Sequence, residues 1–200
     1  MKLLPVFLVA ISVLHATDGD ERVAQASVSG TLYAPFLRTT GAVVYLIPDG
    51  DSAFAVPQER PVIDQIKLRF DPQTVAVLPG TSVEFRNSDP VLHNVFGPTG
   101  PGDGFDLGTY PRGQQRLHTF NELGAHVILC NVHPEMVAYI LVVPTPYHSV
   151  VDASGEFYIE DVPTGLYSVW VWHPRIDPFS TMLTVGEAVS GIHLDLEIPQ

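Results

Sequence analysis

Cysteine is scarce in this chain. There is one, Cys130, in 200 residues, so no intramolecular disulfide can form. Cations are scarce too. Ten Lys and Arg against 22 Asp and Glu leave a formal net charge of -12. That balance argues against nucleic acid or an anionic membrane surface as partner, and an acidic surface steers instead towards basic patches. No long stretch carries the 3.6-residue periodicity of an amphipathic helix. No Gly-rich phosphate loop, Ser-His-Asp set or paired-carboxylate site emerges, and the absence of an H-x-H pair argues against a trinuclear oxidase cluster. The reading is therefore of a protein that is not an enzyme. What is plentiful is Gly and Pro, 16 and 18 residues scattered between short apolar segments, which points to an all-β chain.

Long apolar runs are limited to residues 3–14, too short to span a bilayer. With Lys2 before it and Ala24-Gln25-Ala26 after it, this run reads as a secretory signal over 1–26, with Ala16 as an earlier cleavage option. An uncleaved membrane anchor is the competing reading. Cleavage after Ala26 removes Lys2 and Arg22 against Asp18, Asp20 and Glu21, leaving -11 on the mature chain. No cysteine follows the apolar run to carry a lipid. The mature protein is expected to be soluble and periplasmic or secreted, with no membrane insertion. In an oxidising compartment a lone cysteine is vulnerable unless it is buried or bound to metal. Burial is the plain reading, but the neighbours of Cys130 favour metal.

Those neighbours are Asn131-Val132-His133-Pro134-Glu135-Met136. They put a thiolate, an imidazole and a thioether in one loop at the end of an apolar strand. A second histidine would complete the two-His, one-Cys set with a weak axial Met that holds copper in electron-transfer centres. Soft thiolate and thioether favour Cu(I), while imidazole suits both copper states. His93, just past the turn Asn87-Ser88-Asp89-Pro90, can be brought to the same end of a sandwich.

Coarse patterning supplies the strands. Residues 26–33 and 41–47 read as two strands and 48–61 as a linker. Ile66, Leu68 and Phe70 alternate with Lys67 and Arg69 as one half-buried strand, and Val83 and Phe85 mark another. Residues 97–104 are a Gly/Pro loop. Segments 105–107, 116–120, 125–129 and 137–143 follow, and Pro144-Thr145-Pro146 closes the unit. Beyond it, Phe157 and Ile159 alternate. Tyr167, Val169 and Val171 share one strand face, and Trp170 and Trp172 the other. A last strand pair is expected around 182–185 and 192–196.

Residues 66–143 resemble a cupredoxin. The matching frame is Phe70-x-Pro72, Val75-x-Val77, Gly80, Val83-x-Phe85-x-Asn87, His93-Asn94-Val95, Gly124 and Cys130-x-x-His133-x-x-Met136. The spacing is plastocyanin-like and the ligand loop is similar to that of amicyanin. The resemblance implies one type 1 copper per chain, held by His93, Cys130, His133 and Met136. It implies that Asn94 ties the two ligand loops together, with its backbone N–H aimed at the thiolate. It also implies a redox protein partner docking near His133. Two positions depart from the pattern. Ala138 stands where plastocyanins usually have Gly. Glu135 puts a carboxylate beside His133, which disfavours an acidic partner.

The flanks, Val151-Asp152-Ala153-Ser154-Gly155-Glu156-Phe157 and Val162-Pro163-Thr164-Gly165-Leu166-Tyr167, are similar to transthyretin-like, carboxypeptidase-regulatory-like domains. The fold expected is an all-β cupredoxin Greek-key sandwich with a second, transthyretin-like β-sandwich. The second domain is expected to be split over 27–57 and 145–200, with the cupredoxin inserted at 58–144; a serial arrangement is the alternative. The whole resembles periplasmic methylamine-utilisation-type proteins. Three roles compete: one-electron transfer between periplasmic redox partners, copper binding and delivery without redox cycling, and a structural or adhesive module. His126 is expected as a hydrogen-bonded inner histidine, and His118, His148, His173 and His193 as surface or structural residues. Trp170 and Trp172 are expected to pack in a core or domain interface, with electron relay as the alternative.

Overall fold

The computed structural model describes residues 25–34, 38, 41–50, 52–186 and 191–197, the last group by its backbone. Most of the signal segment lies outside these residues. Gln25 and Ala26 do not: they open β1 (Gln25–Tyr33). Ala26 is buried and paired with Val162, so cleavage after Ala26 would remove the start of a packed strand. Cleavage after Ala16 would leave it whole.

The described residues form strands and no helix. After β1 and β2 (Val43–Pro48) come β3 (Val62–Ile66), β4 (Arg69–Asp71), β5 (Thr74–Val77), β6 (Thr81–Asn87), β7 (His93–Gly97) and β8 (Phe105–Tyr110). Then follow β9 (Gln115–Phe120), β10 (Gly124–Leu129), β11 (Val137–Val142) and β12 (His148–Val150). The chain ends with β13 (Glu156–Pro163), β14 (Gly165–Trp172), β15 (Phe179–Val185) and β16 (Gly191–Glu197). Four sheets result, ordered β13-β1-β16, β12-β2-β14-β15, β5-β11-β10-β7-β8 and β4-β3-β6-β9.

The sheets stack in that order around three apolar layers. Val28, Leu46, Phe157, Ile159, Tyr167 and Val169 belong to the first core, between the first two sheets. Val83, Phe85, Phe120, Ile128, Cys130 and Ile140 belong to the core between the last two. The layer between the second and third sheets is smaller: Val43, Ala76, Leu141, Val143 and Trp172, flanked by Tyr45, Ala125 and Tyr139. This explains why β2 and β11 read as nearly unbroken apolar runs. Their sheets are covered on both faces, as in any sheet packed between two layers. On β2, Val44 and Leu46 enter the first core while Val43 enters the middle layer. On β11, Ile140 and Val142 go to the inner core while Leu141 goes to the middle layer. Trp172 meets Tyr139 edge-on at 5.7 Å across the middle layer, and Trp170 stacks on Tyr45. Trp172 packs in the interface between the second and third sheets, while Trp170 stacks on its cross-strand neighbour within the second sheet.

The inner sandwich is a Greek key. The β3–β4, β7–β8 and β10–β11 pairs are hairpins within a sheet, while β3 pairs parallel with β6 and β11 parallel with β5. In the outer pair of sheets, β1 is bonded to β13 and β16 and β2 to β12 and β14.

Two expected strands are corrected. The alternation through 66–70 is not one strand. Lys67 and Leu68 both adopt positive φ, 54° and 57°, and form a two-residue hairpin turn between β3 and β4, with Gln65 opposite Phe70 and Ile66 opposite Arg69. Such turns ordinarily call for Gly or Asn. Here Asp89 makes the strained pair tolerable, accepting the Lys67 and Leu68 N–H groups at 2.6 and 2.8 Å. The expected last strand pair is also not a pair. β15 runs antiparallel to β14, whereas β16 lies parallel to β1 in the other sheet. Two adjacent apolar segments look like a hairpin in sequence, but each has a better partner elsewhere.

Candidate metal centre

One end of the inner sandwich gathers the candidate ligands. β6 ends at Asn87, the chain loops through 88–92, and β7 starts at His93. β10 ends just before Cys130, and a short loop returns through His133 and Met136 into β11. Among the described residues, His93, Cys130 and His133 are the His, Cys, Asp or Glu group whose ligand atoms all lie within 4.8 Å of one another. His93 Nδ1 is 3.0 Å from His133 Nδ1 and 3.8 Å from Cys130 Sγ. Met136 is buried in the same core cluster as Cys130, and its N–H closes the loop on the His133 carbonyl at 3.0 Å. His93, Cys130 and Met136 are 0%, 2% and 1% exposed, whereas His133 is only half-buried. Of the four, His133 is the one that reaches solvent. Glu135 is exposed beside it.

The first histidine is held from behind. Asp89, buried, accepts a hydrogen bond from His93 Nε2 at 2.9 Å. Burial pushes the Asp89 carboxyl up, but the Leu68 N–H, the His93 ring and the Lys67 N–H outweigh it, and the net direction is down. A carboxylate only accepts, so the His93 proton sits on Nε2 and the Nδ1 lone pair faces His133 and Cys130. Two imidazole nitrogens facing each other at 3.0 Å beside a thiol sulfur make an electron-rich concavity that suits a cation. The donors, one thiolate and two imidazoles with a thioether alongside, are a set fitted to copper.

The loops are fastened together by Asn94. Its backbone N–H donates to Cys130 Sγ at 3.4 Å, and its Oδ1 accepts the Asn131 N–H at 3.2 Å, the two contacts that the family resemblance implied. Its Nδ2 donates to Asp106 at 2.6 Å, and its carbonyl accepts Gln65 Nε2 at 3.0 Å. Asn87 braces the 88–92 loop, donating to the Val91 and Tyr110 carbonyls and accepting the Asp89 N–H. Such contacts orient ligands and tune the metal.

Sequence reasoning singled out His93, Cys130, His133 and Met136. It missed Asp89, Gln65 and Asp106. Asp89 carries a faint signal, a carboxylate four residues before a candidate ligand, but Asn-Ser-Asp-Pro reads first as turn punctuation. The remaining described histidines stay away from this centre. His126 is half-buried and donates from Nε2 to the Glu122 carbonyl at 2.8 Å. His173 is buried and accepts the Arg175 N–H, a structural place of the kind expected for it. The side chain of His193 lies outside the described residues.

No family model matches this chain, and no curated protein matches it. Solved structures do. A copper-containing nitrite reductase from Thermus scotoductus SA-01 is similar at 23% identity and a TM-score of 0.41, over 48% of this chain and 25% of that one. A purple cupredoxin from Nitrosopumilus maritimus is similar at 23% identity and a TM-score of 0.38, over 42% of this chain and 99% of its own. A mutant amicyanin in its Cu(I) form is similar at 24% identity and a TM-score of 0.41, over 50% and 99%. This chain thus spans only a quarter of the nitrite reductase it matches.

Proposed function

We propose that this is an exported type 1 copper protein that carries single electrons between redox partners. The observation that carries the proposal is the convergence of one buried thiol and two imidazole nitrogens at the end of a rigid sandwich, with a buried thioether in the same loop. Cys130, His93 and His133 would hold one copper per chain, with Met136 as the weak axial donor. Copper in such a set supplies a reversible one-electron couple. The protein's contribution is to keep the donors still: Asp89 fixes the tautomer of His93, and Asn94 spans both ligand loops and donates to the sulfur. Little rearrangement then accompanies a change of charge. Four donors leave no open position for a substrate, which favours a carrier over an enzyme.

The partner is a redox protein that docks where His133 reaches solvent, and Glu135 selects against an acidic face there. Export to the periplasm or outside the cell is supported by the apolar N-terminal run with its small-residue cleavage options. The division into a split outer domain, 27–57 with 145–200, and an inserted domain, 58–144, is supported by the pairing of β1 and β2 with strands that all follow residue 147.

Copper delivery without cycling uses the same residues and is the second reading, favoured by one observation, the half-exposure of His133. Voltammetry and transfer to a copper-free acceptor separate the two. A carrier shows a reversible wave and keeps its metal. Rapid surrender of copper to the acceptor with no reversible wave would replace the carrier by a delivery protein.

A further inference from the structure

His118 on β9 and His126 on β10 belong to the two facing sheets of the inner sandwich. His126 precedes Cys130 by four residues, about 13 Å along an extended strand, so this pair stands well apart from the thiolate site. Both rings are fixed. Phe105 stacks flat on His118 with centroids 3.7 Å apart. Phe120 meets His118 and His126 edge-on at 4.8 and 5.1 Å. The tautomer of His126 is fixed as well. Its Nε2 faces the Glu122 carbonyl at 2.8 Å, and a carbonyl only accepts, so Nε2 carries the proton and Nδ1 presents a lone pair. Donation of one ring N–H to a backbone carbonyl is how metal-ligating histidines are commonly oriented. Burial holds His118 below its ordinary value, which favours a neutral ring that is available as a donor.

Both imidazoles line one polar cavity of about 320 Å³ together with Asp103 and Glu122. We propose that His118, His126, Asp103 and Glu122 form a second, shallow site for a borderline divalent cation, Cu(II) or Zn(II). Two imidazoles and two carboxylates are a donor set that suits either ion, and without thiolate it does not select Cu(I). These donors stand further apart than the His93, Cys130 and His133 atoms. The imidazoles are held by their ring contacts, while Asp103 and Glu122 are exposed, so closure on an ion requires the donors to draw together around it. This inference does not depend on the proposed function of the first site.

The test uses the full chain with the first site disabled by Cys130→Ala and His133→Ala together. Zn(II) is titrated by calorimetry and Cu(II) by EPR. The expected result is one ion per chain in at least one titration, with no intense visible thiolate band for copper. Either His118→Ala or His126→Ala should weaken binding by at least about tenfold, the low end for loss even of a supporting group around a metal. Glu122→Gln and Asp103→Asn, on exposed loop positions, should weaken it without affecting folding. No bound ion, or binding that none of these four substitutions weakens, overturns the site.

Discussion

The two sandwiches bury very different things. The outer core is apolar almost throughout, with Val28, Leu46, Phe157, Tyr167 and Val169 packed together. The inner sandwich has an apolar core of similar make-up, yet one end of it buries Gln65, Asn87, Asp89, His93 and Asn94. Burying polar groups is costly unless each finds a partner. At this end nearly every one does, and the network converges on two imidazoles and a thiol. The outer sandwich buries little besides apolar side chains. The inner one gives up part of its apolar filling to hold a site. A chain that needed only a scaffold would have little use for a buried carboxylate behind a buried histidine.

The largest effect is expected at the seam between the two. Trp172, nearly buried in the middle layer, contacts Tyr139 of the inner sandwich. Trp172→Ala should destabilise the protein by about 3–5 kcal/mol, the usual cost of emptying such a position. Denaturant unfolding would show it. The copper-bound absorption spectrum should be unchanged, because the ligand network does not pass through the seam. A changed spectrum would break the separation between support and site.

Asp89→Ala should come next, at about 2–3 kcal/mol in the copper-free protein, because it strands two backbone N–H groups and an imidazole N–H. Unlike Trp172→Ala, it should also weaken copper binding by about 10–100-fold. Competition with a chelator measures that. Asp89→Asn keeps an acceptor and should lose less on both counts. Loss of stability with unchanged copper affinity would make Asp89 a folding residue alone.

A smaller effect belongs to the outer sandwich and depends on pH. Burial, then the charge of Arg175, holds His173 below its ordinary value. As pH falls through about 6.5, the unfolded chain takes up the proton first. The contribution of neutral His173 is therefore complete above that pH and is lost as pH falls towards the lowered value in the folded protein. The urea midpoint of the copper-free protein should drop between pH 7.5 and 5.5, and His173→Asn should shrink the drop. An undiminished drop in the variant would assign the pH dependence to other histidines.

Much of this was legible in sequence, and the exceptions share a cause. The donors Cys130, His133 and Met136 sit in one loop, so their chemistry shows at short range, and His93 follows a turn that places it at a sandwich end. The strands at 41–47 and 137–143 were legible, but that β2 and β11 bury both faces shows only in the packing. What escaped depends on contacts between distant segments. The turn at Lys67-Leu68 breaks an apparently regular alternation, and it is Asp89, 21 and 22 residues away, that supplies the acceptors. The same carboxylate orients His93, a role that no local pattern distinguishes from an ordinary turn aspartate before proline. β16 was assigned to the wrong neighbour because a parallel pairing with β1 spans nearly the whole chain.

The most direct test is Cu(II) titration of the purified copper-free protein, followed by visible absorption and EPR, with Cys130→Ala alongside. An intense thiolate-to-copper band that saturates at one copper per chain and vanishes in Cys130→Ala is the predicted result. A weak band, or one that persists in the variant, would contradict a thiolate-bound copper and with it the electron-carrier account.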